Sequence, residues 1–404
     1  MQRILYISGA VGLGHVIRDL AIAHELRRID PNLDITWLGS PTVNQVFREA
    51  GEKLHPEAGK WADETAEMEK VSAKEKYHVN LIWETVAVLK GRDRNVGVFK
   101  EATNREAFDL VIGDEAYEIH RGILKDPKIK KAPFVYIQDF IGMDSMSKNP
   151  LEKLGTYICN REWAKDYGRK NPVEDLLLFV GEEEDLPDKK FGFLLPNRRE
   201  YARDRSAKFI GYILPFQPTQ VADSEAVKKK LGYAPVPLVI CSIGGTSVGQ
   251  ELLNLCGRTY SIVKERVPDL HLTIVCGPRL SSKSFSFQAG IEVREYVPNL
   301  YEHFAACDLA VVQGGGTSTL ELTALRRPFI FFPLEGHSEQ QIHVAARLAR
   351  QKAGIKLLFS QTTPEILAET IVRNIGQKVT WPLIRTDGAQ RAAGLIHELL
   401  MKQK

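Results

Sequence analysis

The sequence predicts an α/β protein of two doubly wound domains, each a parallel sheet covered by helices on both faces. Three observations predict it. Short runs apolar at consecutive positions recur along the chain, as strands buried on both faces must be. Helix-length segments separate those runs, most regularly between residues 237 and 375. Glycine-rich loops follow several runs and open helices, which is where such sheets bind ligands.

Residues 3–8 (RILYIS) are the first strand. A glycine loop follows, and then a helix beginning near His15, in which Val16, Leu20, Ile22, Ala23, Leu26 and Ile29 share one broad face. Asp30, Pro31 and Asn32 stop it. Further strands are expected at 33–38, 109–113, 133–137, 176–180 and 208–213, with a charged, helical stretch between 60 and 105. The C-terminal half alternates strands at 237–243, 270–276, 291–295, 308–313, 328–332 and 355–359 with helices at 249–266, 316–326, 338–352 and 363–375. The stretch from Gly211 to Pro237 has no pattern and contains Pro215, Pro218 and Pro235, so it marks the boundary. The expected division is 1–214, 215–385, and a terminal helix in 386–404 that packs back on the first domain.

Composition excludes several classes. Hydrophobic residues make up 44% and charged residues 26% of 404, the balance of a globular protein. A net charge of +3 is too small to argue for nucleic acid. The five cysteines include no C-x-x-C pair, which argues against zinc and suits a reducing compartment. The N-terminal apolar run is broken by glycines, unlike a signal peptide, and no stretch reaches the roughly 18–20 apolar residues of a membrane span. A cytoplasmic protein is expected, with peripheral contact at the inner membrane face. Val79 through Leu89, apolar for a surface helix, together with Lys128, Lys130 and Lys131, could provide that contact. A core helix and a solvated basic loop account equally well for them.

Two glycine loops carry the chemistry. The first, Gly9-Ala10-Val11-Gly12-Leu13-Gly14-His15, lies between strand and helix. It departs from G-x-G-x-x-G, and the second strand ends at Trp37-Leu38-Gly39-Ser40 without a ribose-holding acid, so a dinucleotide is a poor ligand for it. His15 stands at the carboxyl end of the first strand, where sites form. The second loop is Gly314-Gly315-Gly316-Thr317-Ser318-Thr319, followed by Leu320 and Glu321. Free N–H groups, the helix dipole and hydroxyl donors make it a phosphate cradle. Glu321, within the first two turns, could accept from ribose hydroxyls. Gly244-Gly245-Thr246 and the run from Pro333 to Gln341 end neighbouring strands and converge on the same edge.

With Tyr296-Val297-Pro298-Asn299, the run Gly315 to Glu321, Pro333 and Glu339-Gln340, the chain resembles UDP-dependent glycosyltransferases of the GT-B superfamily. It also resembles the bacterial N-acetylglucosaminyltransferase of the peptidoglycan lipid precursor. The loop Gly12-x-Gly14-His15 is similar to the acceptor-side loop of that superfamily. The resemblance implies a GT-B architecture, two facing Rossmann-like domains with the donor cleft between them. It implies inverting, metal-independent transfer of a hexose-type sugar from a UDP- or TDP-sugar to a small-molecule or lipid-linked hydroxyl acceptor. Tyr296 would stack on the base and Val297 read its edge. Gly14, Gly245, Thr246, Gly315, Gly316, Thr317 and Ser318 would surround the diphosphate. Glu321 would hold the ribose, and Glu339 and Gln340 the sugar hydroxyls. His15 would be the base, oriented by Asp114 or its neighbour Glu115. The chain departs from the pattern at Gln313, where plant enzymes carry a phosphate-touching histidine, and at Arg18, where a proline is usual. No cofactor is expected beyond the donor, and no metal, since the acidic run Glu182 to Asp185 reads as a solvated loop. The alternatives are a non-hydrolysing sugar-nucleotide epimerase, or a non-catalytic nucleotide-sugar-binding subunit.

Overall fold

The computed structural model describes residues 1–9, 13–62, 81–146, 148–245 and 248–402, and of residues 13, 81–90 and 92 the backbone alone. Close contacts divide the chain into two units. Among the described residues, one holds those up to Pro215 together with those from Arg385 onward, and the other holds those in Phe216–Ile384.

The first unit contains β1 (Arg3–Ser8), β2 (Asp34–Gly39), β3 (Lys53–Leu54), β4 (Leu110–Asp114), β5 (Phe134–Gln138), β6 (Leu176–Phe179) and β7 (Lys208–Phe209). They form one sheet in the order β3-β2-β1-β4-β5-β6-β7, with every pairing parallel. Its helices are α1 (Leu13–Ile29), α2 (Pro41–Glu49), α3 (Leu81–Arg105), α4 (Tyr117–Lys125), α5 (Pro150–Trp163) and α6 (Arg198–Asp204). The second unit contains β8 (Leu238–Ser242), β9 (His271–Val275), β10 (Ile291–Arg294), β11 (Leu309–Gln313), β12 (Phe329–Phe332) and β13 (Ile355–Lys356). Their order is β10-β9-β8-β11-β12-β13, again all parallel. Around them lie α7 (Ser224–Lys230), α8 (Gln250–Arg266), α9 (Leu300–Ala306), α10 (Gly316–Leu325), α11 (Ala345–Gln351) and α12 (Pro364–Asn374). The last helix, α13 (Gly388–Met401), belongs to the first unit.

Both sheets are buried on both faces, which is why their strands read as unbroken apolar runs. In the first, Ile4, Tyr6, Ile112 and Ile137 pack under α1 and α13, while Leu5, Ile7, Val111 and Phe134 pack under α3 and α4. Tyr6 stacks on Trp37 and Phe47 packs tilted against Trp37, with ring centroids 4.3 and 4.1 Å apart. Each such contact adds about 0.5–1.5 kcal/mol beyond area burial. Ala392, Ala393, Ile396 and Leu400 of α13 join the cluster of Val16, Ile22, Ala23 and Leu26 on α1.

Some expected elements differ. The strand expected over 208–213 stops at Phe209, because the chain then turns through Gly211, whose φ is +79°, toward Arg385. The strand expected over 355–359 ends at Lys356. The helix expected over 338–352 opens as a π-helical turn, Glu339–Val344, before α11. The acidic run Glu182 to Asp185 is a capped 3-10 turn: Glu182 and Asp185 close a capping box, and Glu182 takes an ion pair from Arg385. Lys130 is not part of a solvated patch, since its ammonium bonds the Val173 carbonyl and Asp175. Residues 79 and 80 of the apolar segment lie outside the described residues.

Candidate functional site

In a doubly wound sheet the strand order reverses at one point, and the loops there splay to opposite faces and leave a crevice. The first sheet reverses between β1 and β4 and the second between β8 and β11. The two sites read from the sequence occupy those points.

In the first unit the register sets Ser8 against Asp114, and the Gly9 N–H bonds the Asp114 carbonyl at 3.0 Å. The Gly9 Cα lies against the 114–116 backbone with no room for a larger side chain: a Cβ would stand 3.1 Å from the Ala116 Cα. His15, on the first turn of α1, therefore meets the end of β4. Its Nδ1 lies 3.6 Å from an Asp114 carboxylate oxygen and its Nε2 lies 4.0 Å from Glu115. Among the described residues Nδ1 has no hydrogen-bond partner. Glu115 follows β4 with φ at +48°, a left-handed backbone that costs about 1–3 kcal/mol off glycine and collects at functional sites. The Tyr117 hydroxyl donates to it at 3.2 Å.

The sequence reading missed two members of this cluster. Arg18, one turn beyond His15, donates from Nε to Asp114 at 2.8 Å and from a second nitrogen to the other Asp114 oxygen. Its remaining nitrogen donates to Asp139, just past β5, at 2.6 Å. Burial is the largest influence on the Asp114 and Asp139 carboxyls and raises them, but the Arg18 charge, His15 and the hydrogen bonds to them together outweigh it and hold both below the usual range. Glu115 is pushed well up, first by burial and then by Asp139. The clue in the sequence was the departure at Arg18 itself, a cation at helical spacing from a site histidine.

In the second unit α10 opens directly from β11, with Gly315 as its N-cap. A Cβ on Gly314 would stand 2.6 Å from the Pro333 Cα, whereas one on Gly315 would meet nothing within 4 Å. Gly314 thus lets the loops after β11 and β12 touch, and Gly315 leaves the helix start open. A Cβ on Gly316 would stand 3.7 Å from Glu339 Oε1, and one on Gly244 would stand 4.0 Å from the Ser318 hydroxyl. Gly244, Ser318, Gly316 and Glu339 therefore gather around the N-terminus of α10, with Thr317 in its first turn. Gly245 follows Gly244 in this loop; Thr246 lies outside the described residues.

Not every expected contact is directed at a ligand. Gln340 is buried, and its side-chain oxygen accepts from the Leu334 N–H at 2.8 Å, bracing its own loop. Gln313 is buried too; with its amide nitrogen turned to the loop after β8 it donates to the Ile243 carbonyl at 2.9 Å. Both hold the cradle's walls. Tyr296 presents its ring to solvent, 60% exposed, beside buried Val297. Arg347 on α11 was missed by the sequence reading: it donates to the Gly316 carbonyl at 3.1 Å and to Thr319 at 3.2 Å, fixing the start of α10. Glu321 is buried, without a hydrogen bond or ion pair among the described residues, and burial pushes its carboxyl up to about 8. A carboxyl group is costly to leave so, which suits a group whose partner arrives with a ligand.

Comparison with known proteins bears on the fold and on the class of enzyme. The glycosyltransferase family 28 C-terminal domain matches residues 239–390. An uncharacterised glycosyltransferase of Methanopyrus kandleri is 27% identical over 197 residues, 48% of this chain and 54% of its own length, so the chain spans about half of that relative. The UDP-N-acetylglucosamine–N-acetylmuramyl-(pentapeptide) pyrophosphoryl-undecaprenol N-acetylglucosamine transferase of Clostridioides difficile is 23% identical, covering 100% of this chain and 89% of its own. Among solved structures, the glycotransferase of kitacinnamycin superposes with a TM-score of 0.58 at 17% identity, over 100% of this chain and 97% of its own. The fold is GT-B.

Proposed function

We propose that this chain, a glycosyltransferase by its GT-B fold and its family 28 C-terminal domain, moves a hexose-type sugar from a UDP- or TDP-sugar to a hydroxyl acceptor with inversion. The observation that carries this reading is Glu321. It is a buried carboxyl group, without a partner among the described residues, one turn inside a helix whose N-terminus is open and ringed by glycines and hydroxyls. Diphosphate oxygens would take the N–H groups at the start of α10 and the Thr317 and Ser318 hydroxyls. The ribose hydroxyls would then donate to Glu321, with Tyr296 and Val297 on the base and Glu339 toward the sugar.

The acceptor hydroxyl would give its proton to His15 Nε2 as its oxygen bonds the anomeric carbon. The bond from that carbon to the diphosphate breaks on the opposite side, and the nucleoside diphosphate leaves with the electron pair. The imidazolium formed is stabilised by Asp114 behind Nδ1. The dipole and hydroxyls at α10 would neutralise the leaving group without a metal, so turnover should survive EDTA. The acceptor is a small or lipid-linked alcohol reached from the cytoplasm, and in the lipid-linked case the chain should float with anionic liposomes at low salt.

Incubation with UDP- and TDP-sugars and candidate alcohols, read by mass spectrometry, tests the reaction. Transfer gives a heavier acceptor and free nucleoside diphosphate. An isomeric sugar nucleotide would mean epimerisation, and no product with any donor that binds would mean a binding subunit. His15→Ala should lower kcat about 10²–10⁴-fold, the usual share of a general base, while UDP affinity stays near wild type. A folded His15→Ala enzyme with wild-type kcat would remove His15 as the base.

A further inference from the structure

His15 does not face Asp114 alone. Around the His15–Asp114 pair stand Arg18 and Asp19 on α1, with Tyr6 on β1 bonded to Asp19, Glu115 at the end of β4, with Tyr117 on α4 bonded to it, and Asp139 after β5. Asp19 is fully buried, accepts from the Tyr6 hydroxyl at 3.0 Å, and is pushed well up by burial and then by Asp114. The nearest ring nitrogen and carboxylate oxygens of His15, Glu115 and Asp139 lie within 4.8 Å of one another. Four carboxyl groups and one imidazole thus share a small volume with one guanidinium.

We propose that Arg18 is a positioning residue of this site: its fork occupies both oxygens of Asp114 and holds Asp139, so that these carboxylates are compensated without drawing a proton onto His15. The proposal rests on the reading of His15 as the base. Its ground is geometric. The Arg18 side chain is 10% exposed, the Asp114 side chain is 0% exposed, and all three guanidinium nitrogens reach two carboxylates at the ends of two different strands. A planar fork does this and an ammonium does not. In a His–Asp pair without such a fork, the carboxylate's only nearby cation is the imidazolium itself. Buried carboxylates left with no other cation would keep the imidazole protonated to higher pH, where it could not accept a proton from an alcohol. With Arg18 in place, Asp114 lies behind Nδ1 and becomes stabilising as the imidazole gains charge during transfer.

The deciding titration needs neither donor nor acceptor. The titration of His15 is followed by NMR in the full chain, its resonance identified by its loss in His15→Ala. In Arg18→Met two carboxylates lose their cation, so the His15 midpoint should rise by at least about one pH unit. Arg18→Lys, which restores the charge without the fork, should bring it only part of the way back. If Arg18→Met does not fold, Asp114→Asn and the double variant Arg18→Met/Asp114→Asn pose the same question with one buried carboxylate fewer, and the double variant should have the higher midpoint. The acid limb of the kcat profile should move up with the midpoint. A folded Arg18→Met protein with the wild-type midpoint, or equal midpoints in the second pair, overturns the role given to Arg18. That result is distinguishable from failure of the base reading, which shows only as wild-type kcat in His15→Ala.

Discussion

At the scale of single residues, the two sites place carboxyl groups under opposite electrostatic regimes. Asp114 is buried with a cation; Glu321 is buried with no hydrogen bond or ion pair among the described residues. The consequence for Glu321 can be worked out in sign. Its folded value, about 8, lies above the ordinary 4.5, so the folded state holds a proton that the unfolded state gives up. Stability is therefore highest below the unfolded value and declines as pH rises from about 4.5 through about 8. Glu321→Gln, neutral at every pH, should melt higher than wild type at pH 8, with the gap closing toward pH 5. The same substitution should weaken UDP binding by about 1.5–3 kcal/mol, the worth of hydrogen bonds to a charged group. Thermal melts at the two pH values and calorimetry with UDP read both effects. Equal melting temperatures at pH 8 with unchanged UDP affinity would mean that Glu321 is neither strained nor used. Glu321 was legible in the sequence because it follows a glycine loop within one helix. Arg18 showed only as a departure from the pattern and Asp139 not at all, because their pairing depends on which strands lie adjacent, and spacing along the chain does not carry that. Gln313 and Gln340 were read as donor-site residues from their places in the motif; the structure adds that both are buried and bond the backbone around them.

At the scale of elements, strands were the more legible part. Strands buried on both faces are bounded by the glycines and prolines that turn them, so the runs at 3–8, 309–313 and 329–332 stand out. Short helices such as α2, α4 and α9 did not stand out, since seven to nine residues hold barely two turns of periodicity. The seam between β11, α10 and the end of β12 makes a prediction about two neighbouring glycines. Gly314→Ala forces a Cβ to 2.6 Å from the Pro333 backbone, and neither backbone can yield without moving the cradle. It should cost about 1–3 kcal/mol, the usual range for overpacking, and weaken UDP binding with it. Gly315→Ala meets nothing within 4 Å, and its φ of −66° suits any residue, so it should fold with wild-type stability. Chemical denaturation of the two variants decides. Equal stability would show that the close approach at Gly314 is not needed to hold β11 against β12.

At the scale of the whole molecule, the chain leaves its first unit at Pro215, builds the second, and returns with Arg385 to finish the first. The return is anchored before α13 begins. The Tyr212 N–H bonds the Arg385 carbonyl at 2.9 Å, and Ile213 bridges Asp387. Gly388 then lets the chain pass close to Tyr212, where a Cβ would stand 2.6 Å from a carbonyl oxygen. What α13 contributes is apolar cover: Ala392, Ala393, Ile396 and Leu400 close the face of α1 that carries Val16, Ile22, Ala23 and Leu26. Fully burying an Ile or Leu side chain is worth about 1.5–3 kcal/mol. Losing Ile396 and Leu400 together removes a large share of the roughly 5–15 kcal/mol that holds a domain folded. A chain ending at Ile384 should therefore lose the first unit selectively. Its strands β8 to β13 and their helices are all present, so the second unit keeps its own core. In calorimetry the truncated chain should show a low, broadened transition for the first unit and a second transition that UDP raises, because a ligand stabilises only the unit that binds it. Transfer should be lost while UDP binding persists. A truncated chain that unfolds in one transition at the wild-type temperature would show that α13 does not complete the first core. A truncated chain that no longer binds UDP would show that the second unit does not fold independently of the helix that closes the first.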